Sequence, residues 1–217
     1  MAKVKKVFSC TNCGATSPKW MGKCNSCGEW NTFQEEVIMK ETGREERDKA
    51  WKGPANVKGS APVKLPEIKA GNTHRLVAPD REINRVLGGG IVSGSMVLIG
   101  GQPGIGKSTL LLQLALGVDA KILYVSGEES EEQIKMRADR LGMQESDCYI
   151  LTETNSHKIL NHAKSLNPDL VVIDSIQTLG SPHIDSTPGS VSQVRETAGE
   201  LQRYAKENNT PVFIIGH

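Results

Sequence analysis

The chain predicts an α/β fold, a domain with a mostly parallel sheet preceded by a small four-cysteine module, on three observations. The apolar run Met96-Val97-Leu98-Ile99 leads into Gly101-Gln102-Pro103-Gly104-Ile105-Gly106-Lys107-Ser108-Thr109 and then Leu110, Leu111, Leu114 and Ala115, which reads as strand, glycine loop and helix. Beyond it, short runs rich in Val, Ile and Leu alternate with stretches of helical periodicity, the pattern of successive β-α units. Ahead of it, Cys10, Cys13, Cys24 and Cys27 stand as two C-x₂-C pairs.

A chain of 217 residues holds one ordinary domain plus something small, and 37% hydrophobic with 24% charged residues is a globular composition. The net charge of +1 conceals an asymmetry: residues 1–75 carry 14 Lys and Arg against 8 Asp and Glu, residues 76–217 carry 12 against 17. A basic front end suits nucleic acid or an acidic partner, although a charge run is equally a solvated face. The N-terminus lacks the apolar region of a signal peptide, and no run approaches the ~20 apolar residues of a membrane span. With its cysteines spaced as ligands, the chain is expected in a reducing cytoplasm, away from membranes.

Taken in order, residues 1–35 form the expected metal module. Each C-x₂-C pair makes a knuckle that turns two thiolates toward one point, and two knuckles close a tetrahedral Zn²⁺ site, a reading preferred over a disulfide or a redox pair. Gly14 and Gly28 follow the second cysteine of each pair, where the turn calls for positive φ. Four ligands leave no open position, so the site is structural, and a module this small depends on its metal to fold. Trp20 and Trp30 either stack on a base or partner or pack over the zinc core. Residues 36–72 lack periodicity and are rich in Pro, Gly and charge, which predicts a mobile linker with Trp51 as its one anchor.

The main domain is expected over 73–217. A short helix over Pro79 to Leu87 places Ile83, Val86 and Leu87 on one face and stops at three glycines. After the central strand and its loop, a second strand runs from Lys121 to Ser126. Ser130-Glu131-Glu132-Gln133 is a capping box that opens a helix with Ile134, Ala138 and Leu141 inward and Gly142 as its stop. Cys148 to Leu151 reads as a short strand, with Cys148 a buried small hydrophobe. A helix over Asn155 to Leu166 turns Ile159, Leu160, Ala163 and Leu166 inward, and Leu170-Val171-Val172-Ile173-Asp174 is a buried strand ending in an acid. A loop rich in Gly, Ser and Pro spans Leu179 to Ser190, and Ser190-x-x-Gln193 starts a helix with Val191, Val194, Ala198, Leu201 and Ala205 inward. The strand Pro211 to Ile215 ends at Gly216-His217, which looks like a cut inside a domain.

The chemistry follows from where these pieces meet. G-x₄-G-K-[ST] curls backbone N–H groups around a phosphate at a helix N-terminus, Lys107 reaches the β- and γ-phosphates, and the Ser108 hydroxyl is a Mg²⁺ ligand. Asp174 lies at the carboxyl end of its strand, where ligands bind in an open α/β sheet, and is the water-mediated partner of that Mg²⁺. Hydrolysis further requires a group that orients water. Glu128 and Glu129 stand at the right sheet end; one of them is the candidate base, or both simply favour the N-terminus of the following helix through its dipole. His157, His162 and His183 show no metal spacing with carboxylates and read as surface residues, and His217 either senses the γ-phosphate or marks the cut.

The order Cys-x₂-Cys twice, Leu87-Gly88-Gly89-Gly90-Ile91, Gly101 to Thr109, Val125-Ser126-Gly127-Glu128-Glu129-Ser130, Val172-Ile173-Asp174-Ser175-Ile176-Gln177 and Ile215-Gly216-His217 resembles the RadA (Sms) family of bacterial DNA repair ATPases across essentially the whole chain. The resemblance implies a RecA-like P-loop ATPase core, related to RecA and the replicative helicase DnaB, that uses ATP, Mg²⁺ and Zn²⁺. It further implies a ring-shaped homo-hexamer that binds single-stranded DNA and drives branch migration of branched recombination intermediates alongside RecA. Carried over, the phosphate loop falls on Gly101 to Ser108, with catalytic Lys107 within it, the Mg²⁺-linked aspartate on Asp174 and the catalytic glutamate on Glu128. The DNA-contacting loop falls on Leu179 to Ser190, which makes Gln193 and Arg195 beside it the candidate DNA contacts. The family continues with a Lys-Asn-Arg-Phe-Gly signature and a Lon-protease-like domain, so the core here is expected to be truncated and impaired in turnover. Two other readings remain at this point: a nucleotide-gated recruitment module with little turnover, and a KaiC-like signalling ATPase.

Overall fold

A computed structural model of the chain describes residues 3–40, 62–67, 75–142 and 146–216, with backbone alone at 3–6 and 36–40. Most of the expected linker, Trp51 and His217 lie outside the described residues.

The N-terminal module is a three-stranded antiparallel sheet in the order β2-β1-β3, with β1 at Lys3–Cys10, β2 at Thr16–Ser17 and β3 at Phe33–Lys40. β3 pairs along the whole of β1, from Phe33 opposite Cys10 to Lys40 opposite Lys3, so regular structure continues past residue 35, where the linker was expected to begin. Its small core consists of Cys10, Cys24 and Phe33, with Phe8, Ala15 and Met21 packed against them.

The main domain opens with the two-residue strands β4 (Arg75–Leu76) and β5 (Ile91–Val92), which pair antiparallel around helix α1 (Arg81–Val86). Asp80 caps α1 by accepting from the amides of Glu82 and Ile83. The predicted apolar face of α1 holds only in part: Ile83 and Leu87 pack on the core, whereas Val86 is 69% exposed.

Five parallel strands follow in the order β6-β10-β9-β7-β8: Met96–Gly100, Val212–Gly216, Leu170–Asp174, Ile122–Ser126 and Cys148–Thr152. The helices are α2 (Lys107–Gly117), α3 (Glu131–Arg140), α4 (Ser156–Leu166) and α5 (Val191–Asn208). Period-2 alternation in fully buried strands divides the core between the two sheet faces. Ile122, Tyr124, Leu170, Val172, Phe213 and Ile215 pack with Leu111, Leu114 and Ile134 of α2 and α3. Leu123, Val125, Val171, Ile173, Val212 and Ile214 pack with Ile159 and Ala163 of α4 and Leu201 and Ala205 of α5. The phosphate-loop strand β6, read as central in the sequence, pairs only with β10 among the described residues, and Leu98 on it is 66% exposed.

The helix signals are realised as side-chain geometry. Ser130 and Gln133 form the reciprocal capping box of α3. Asn155 and Ser190 cap α4 and α5, and Asn167 and Asn209 stop those helices in the left-handed conformation. In α5 the inward face is more polar than its apolar periodicity indicated: Gln193, Thr197 and Glu200 are buried beside Leu201, Tyr204 and Ala205.

Candidate functional site: a phosphate loop and its acidic partners

The ends of β6, β7 and β9 converge because the three strands are parallel and in register. Ser126 stands opposite Asp174, so the turn after β7 and the acid at the end of β9 share one sheet edge with the loop after β6. The loop exposes Gly101 to Gly106 to solvent and ends with Gly106 at φ 96°, the N-cap of α2. No side chain caps that helix, which leaves its first amides facing the loop's concavity. Gly104 and Gly106 have nothing within 4 Å of where a Cβ would stand, so the loop rim is open at both positions.

Lys107 folds back over this loop and donates to the carbonyls of Gly101 (2.8 Å) and Gln102 (2.9 Å). The Ser108 hydroxyl donates to Asp174 Oδ1 at 3.0 Å. Asp174 is buried, and its second oxygen accepts from the Tyr124 hydroxyl at 2.6 Å. Burial first, then the charge of Asp174, pushes the Tyr124 phenol well above its ordinary range and keeps it a donor. These residues fit a Mg-nucleotide: an open anion-binding cradle, an ammonium held only by two carbonyls, and a hydroxyl and carboxylate placed together where P-loop proteins hold Mg²⁺.

The two adjacent glutamates have different surroundings. Glu128 is exposed and its Oε1 accepts from the Ser175 hydroxyl at 2.8 Å, directly beside Asp174. Glu129 is ion-paired with Arg137 of α3. The geometry thus separates them, with Glu128 beside Asp174 and Ser175 and Glu129 tied to the helix. Gly127 between these elements has no room for a side chain, since a Cβ there would lie 2.1 Å from Thr178 Oγ1.

The sequence assigns no role to Tyr124 or Ser175, although Ser175 stands within one of the motifs that carry the resemblance. The signal for Tyr124 is a phenol in the middle of an apolar five-residue strand, where a buried hydroxyl requires a partner. Ser175 carries no local signal, because its partner is 47 residues away.

The expected DNA contacts divide. Arg195 is exposed, whereas Gln193 is only 2% exposed and its amide is taken up within the loop. Gln193 Oε1 accepts from the Ser181 amide (2.8 Å), and Nε2 donates to the carbonyls of Ile184 (2.9 Å) and Ser186 (3.0 Å). Gln193 is thereby corrected from a surface contact to the residue that shapes the loop.

In the N-terminal module the four thiols are free and gathered, with Cys10 Sγ 3.7 Å from Cys27 Sγ and Cys13 Sγ 3.6 Å from Cys24 Sγ. Tetrahedral Zn–S bonds place sulfurs about 3.8 Å apart, whereas a disulfide needs about 2 Å, so the group fits a four-thiolate metal ion. The knuckles repeat one another: the amides of Gly14 and Gly28 donate to the carbonyls of Cys10 and Cys24, both at 2.8 Å. The hydrogen bond with Thr32 brings the Cys10 thiol down to about 6, whereas the Cys13 thiol beside it is raised to about 11, so the gathered sulfurs and not their titration carry the metal assignment. Trp20 and Trp30 are 55% and 67% exposed, so neither packs over the metal core, and Lys23 Nζ lies 5.6 Å from the Trp30 ring. Cys148 is the remaining cysteine, and burial pushes its thiol up to about 11.

Comparison with known proteins agrees with both halves. A rubredoxin metal-binding domain model matches residues 8–35 and an AAA domain model matches residues 62–217. The DNA repair protein RadA of Streptococcus pyogenes serotype M6 and that of Bacillus subtilis are each 48% identical to the chain, and that of Pseudomonas aeruginosa is 46% identical. Each alignment covers 100% of this chain and 47% of the relative, so the chain spans about half the length of the curated relatives it matches. Among solved structures, that of the RadB recombinase aligns with a TM-score of 0.49 at 24% identity, over 65% of this chain and 69% of that one. The chain belongs to the AAA-domain family, its AAA domain is preceded by a four-cysteine metal-binding module, and it is similar over its whole length to the N-terminal half of RadA proteins.

Proposed function

We propose that this chain is part of a DNA-dependent ATPase of recombinational repair, in which Gly101 to Thr109 bind ATP and Glu128 is the catalytic base. The observation that carries this reading is the linked set Ser108, Asp174, Tyr124, Ser175 and Glu128 at the mouth of the phosphate loop. The backbone amides at the start of α2 bind and orient the phosphates, and Lys107 leaves the carbonyls of Gly101 and Gln102 to meet them. Ser108 and Asp174 are the residues that would hold a bound Mg²⁺, which would supply charge neutralisation at the phosphates. The Ser108 hydroxyl would be the direct ligand, and Asp174, itself held by Tyr124, orients Ser108 for that role. Glu128, steadied by Ser175, takes the proton of the attacking water, while Glu129 remains bound to Arg137. The four-thiolate ion is Zn²⁺ and supplies the folding free energy of the module.

The names of the relatives, together with their whole-chain similarity, support repair of DNA as the process and the cytoplasm as the place. Single-stranded DNA, branched intermediates and RecA as partners, and a homo-hexamer, belong to the same proposal and rest on the family resemblance of the motifs rather than on those names. No helix among the described residues is long and apolar enough to cross a membrane. Loop 179–190 lies at the same sheet edge as the phosphate site and is the proposed DNA-facing segment, with Arg195 beside it.

The test is ATP hydrolysis with and without single-stranded DNA, by this chain alone and by the chain joined to the C-terminal half of a relative. Stimulation by DNA in the joined form, abolished by Glu128→Gln with nucleotide binding retained, is the expected result. Nucleotide binding with no response to DNA in either form overturns the motor reading in favour of a recruitment module.

A further inference from the structure

The loop between β9 and α5 brings together three metal-ligating side chains from three separate elements. His157 lies in the first turn of α4, His183 in the loop itself, and Glu200 midway along α5. His157 Nε2 and His183 Nε2 are 3.0 Å apart with their rings edge-on at 82°, and one ligand atom from each of His157, His183 and Glu200 lies within 4.8 Å of the others. Both imidazoles are exposed and accessible to an ion, whereas Glu200 is only 6% exposed.

The carboxylate is the informative member. Glu200 Oε1 accepts from the Ser181 hydroxyl at 2.7 Å, but its Oε2 is buried with no hydrogen-bond donor. An unpaired carboxylate oxygen in the interior is unfavourable unless a cation meets it. The two facing imidazole nitrogens share one hydrogen bond when one ring carries its proton on Nε2, and with that proton moved to Nδ1 both present lone pairs to the same point. A single divalent ion would take both lone pairs together with a Glu200 carboxylate oxygen.

We propose that His157, His183 and Glu200 form a second zinc site that clamps the loop to α4 and α5. Zn–N bonds of about 2.1 Å at a tetrahedral angle place the two nitrogens about 3.4 Å apart, so the pair needs to open by only a few tenths of an ångström. Two imidazoles and a carboxylate are a zinc-type donor set with one position left for water. The surroundings hold the ligands in place. Ser181 orients Glu200 and accepts from the His183 amide at 3.3 Å, and Gln193 fixes Ser181, Ile184 and Ser186. The root of the loop is laced to the approach to α4 by Gly180 N to Thr154 O (2.8 Å) and Ser156 N to Gly180 O (3.0 Å). The ion thus joins segments that are already adjacent and restrains the exposed turn between them.

The experiment is equilibrium titration of the full chain with Zn²⁺ against a competing chromophoric chelator, with Co²⁺ spectra as a second readout. The native chain takes up two equivalents. His183→Ala and Glu200→Gln each take up one, with unchanged helical circular dichroism. Cys24→Ser abolishes the intense thiolate-to-Co²⁺ band but leaves the weaker bands of a nitrogen and oxygen site. Hydrogen exchange at residues 181–186 slows at least tenfold when the second equivalent binds. One equivalent in both the native chain and His183→Ala overturns the proposal, as does a second equivalent that survives both substitutions.

Discussion

Replacing Tyr124 by Phe removes one oxygen from beneath the phosphate loop and tests how Asp174 is positioned. The hydroxyl donates to Asp174 Oδ2 at 2.6 Å, and both side chains are buried. A hydrogen bond to a charged acceptor contributes roughly 1.5–3 kcal/mol, and its loss leaves a carboxylate oxygen without its donor. For a chain of this size each kcal/mol moves the thermal midpoint by about 2–4 °C, so Tyr124→Phe lowers Tm by about 3–12 °C at neutral pH. Differential scanning calorimetry measures this directly. Nucleotide binding followed against Mg²⁺ concentration shows a higher Mg²⁺ requirement in the variant, because Asp174 is then held by Ser108 alone.

The same substitution carries a pH signature of defined sign. Burial and the Asp174 charge raise the Tyr124 phenol above its ordinary value of 10.0 in the folded state. A group raised in the fold contributes stability that is fully present below its unfolded value and lost as pH climbs above it. The native chain therefore surrenders the Tyr124 contribution above about pH 10, and the gap between native and Phe forms narrows there. Other tyrosines are common to both chains and cancel in the difference. Equal Tm at neutral pH and an unchanged Mg²⁺ profile would refute the reasoning and leave the tyrosine as packing alone.

Three further substitutions probe the rest of the site. Lys107→Ala removes the ammonium that bridges Gly101 and Gln102 and weakens triphosphate binding at least tenfold in a fluorescent-nucleotide titration; unchanged affinity would sink the phosphate-loop assignment. Cys24→Ser breaks the four-thiolate group, so residues 7–35 lose their amide protection while the calorimetric transition of the main domain persists; retained protection there would show that the module folds without its metal. Gly127→Ala drives a Cβ toward Thr178 Oγ1 and costs about 1–3 kcal/mol by overpacking, with Glu128 displaced from Ser175 and turnover reduced; an unchanged Tm would mean that the turn yields freely.

Most of the architecture was legible because it is written locally. The strand at Leu170–Asp174, the capping box at Ser130 and Gln133, and the glycine loop before Lys107 are each decided within about ten residues. Polar groups buried by the fold were not legible in the same way. Gln193 sits one turn into an amphipathic helix and reads as solvent-facing, yet it is buried because the preceding loop folds over it and needs its amide. Val86 shows the opposite error, an apolar residue at the right spacing on a helix too short to bury more than one side. His157 and His183, separated by 26 residues, look unrelated until the bridge between Asn155, after β8, and Gly180, after β9, joins the two segments beyond the end of β7.

The same limit explains why local chemistry leaves the two glutamates equivalent, with only the family resemblance pointing to Glu128, although they are not equivalent in the fold. Both favour the start of α3 through charge, and nothing in Gly127-Glu128-Glu129-Ser130 distinguishes them. The distinction comes from β9. Its last residue, Asp174, receives Ser108 and Tyr124, and the next residue, Ser175, reaches Glu128. Two consecutive residues at one strand end thus hold the Mg²⁺ side and the water side of the proposed reaction at a fixed separation. Glu129 meanwhile neutralises Arg137, whose side chain is only 15% exposed. On this arrangement Glu129→Gln frees a buried guanidinium and acts chiefly on stability, whereas Glu128→Gln leaves the fold intact and acts on turnover. A Glu129→Gln chain with native stability and abolished turnover would reverse the two roles.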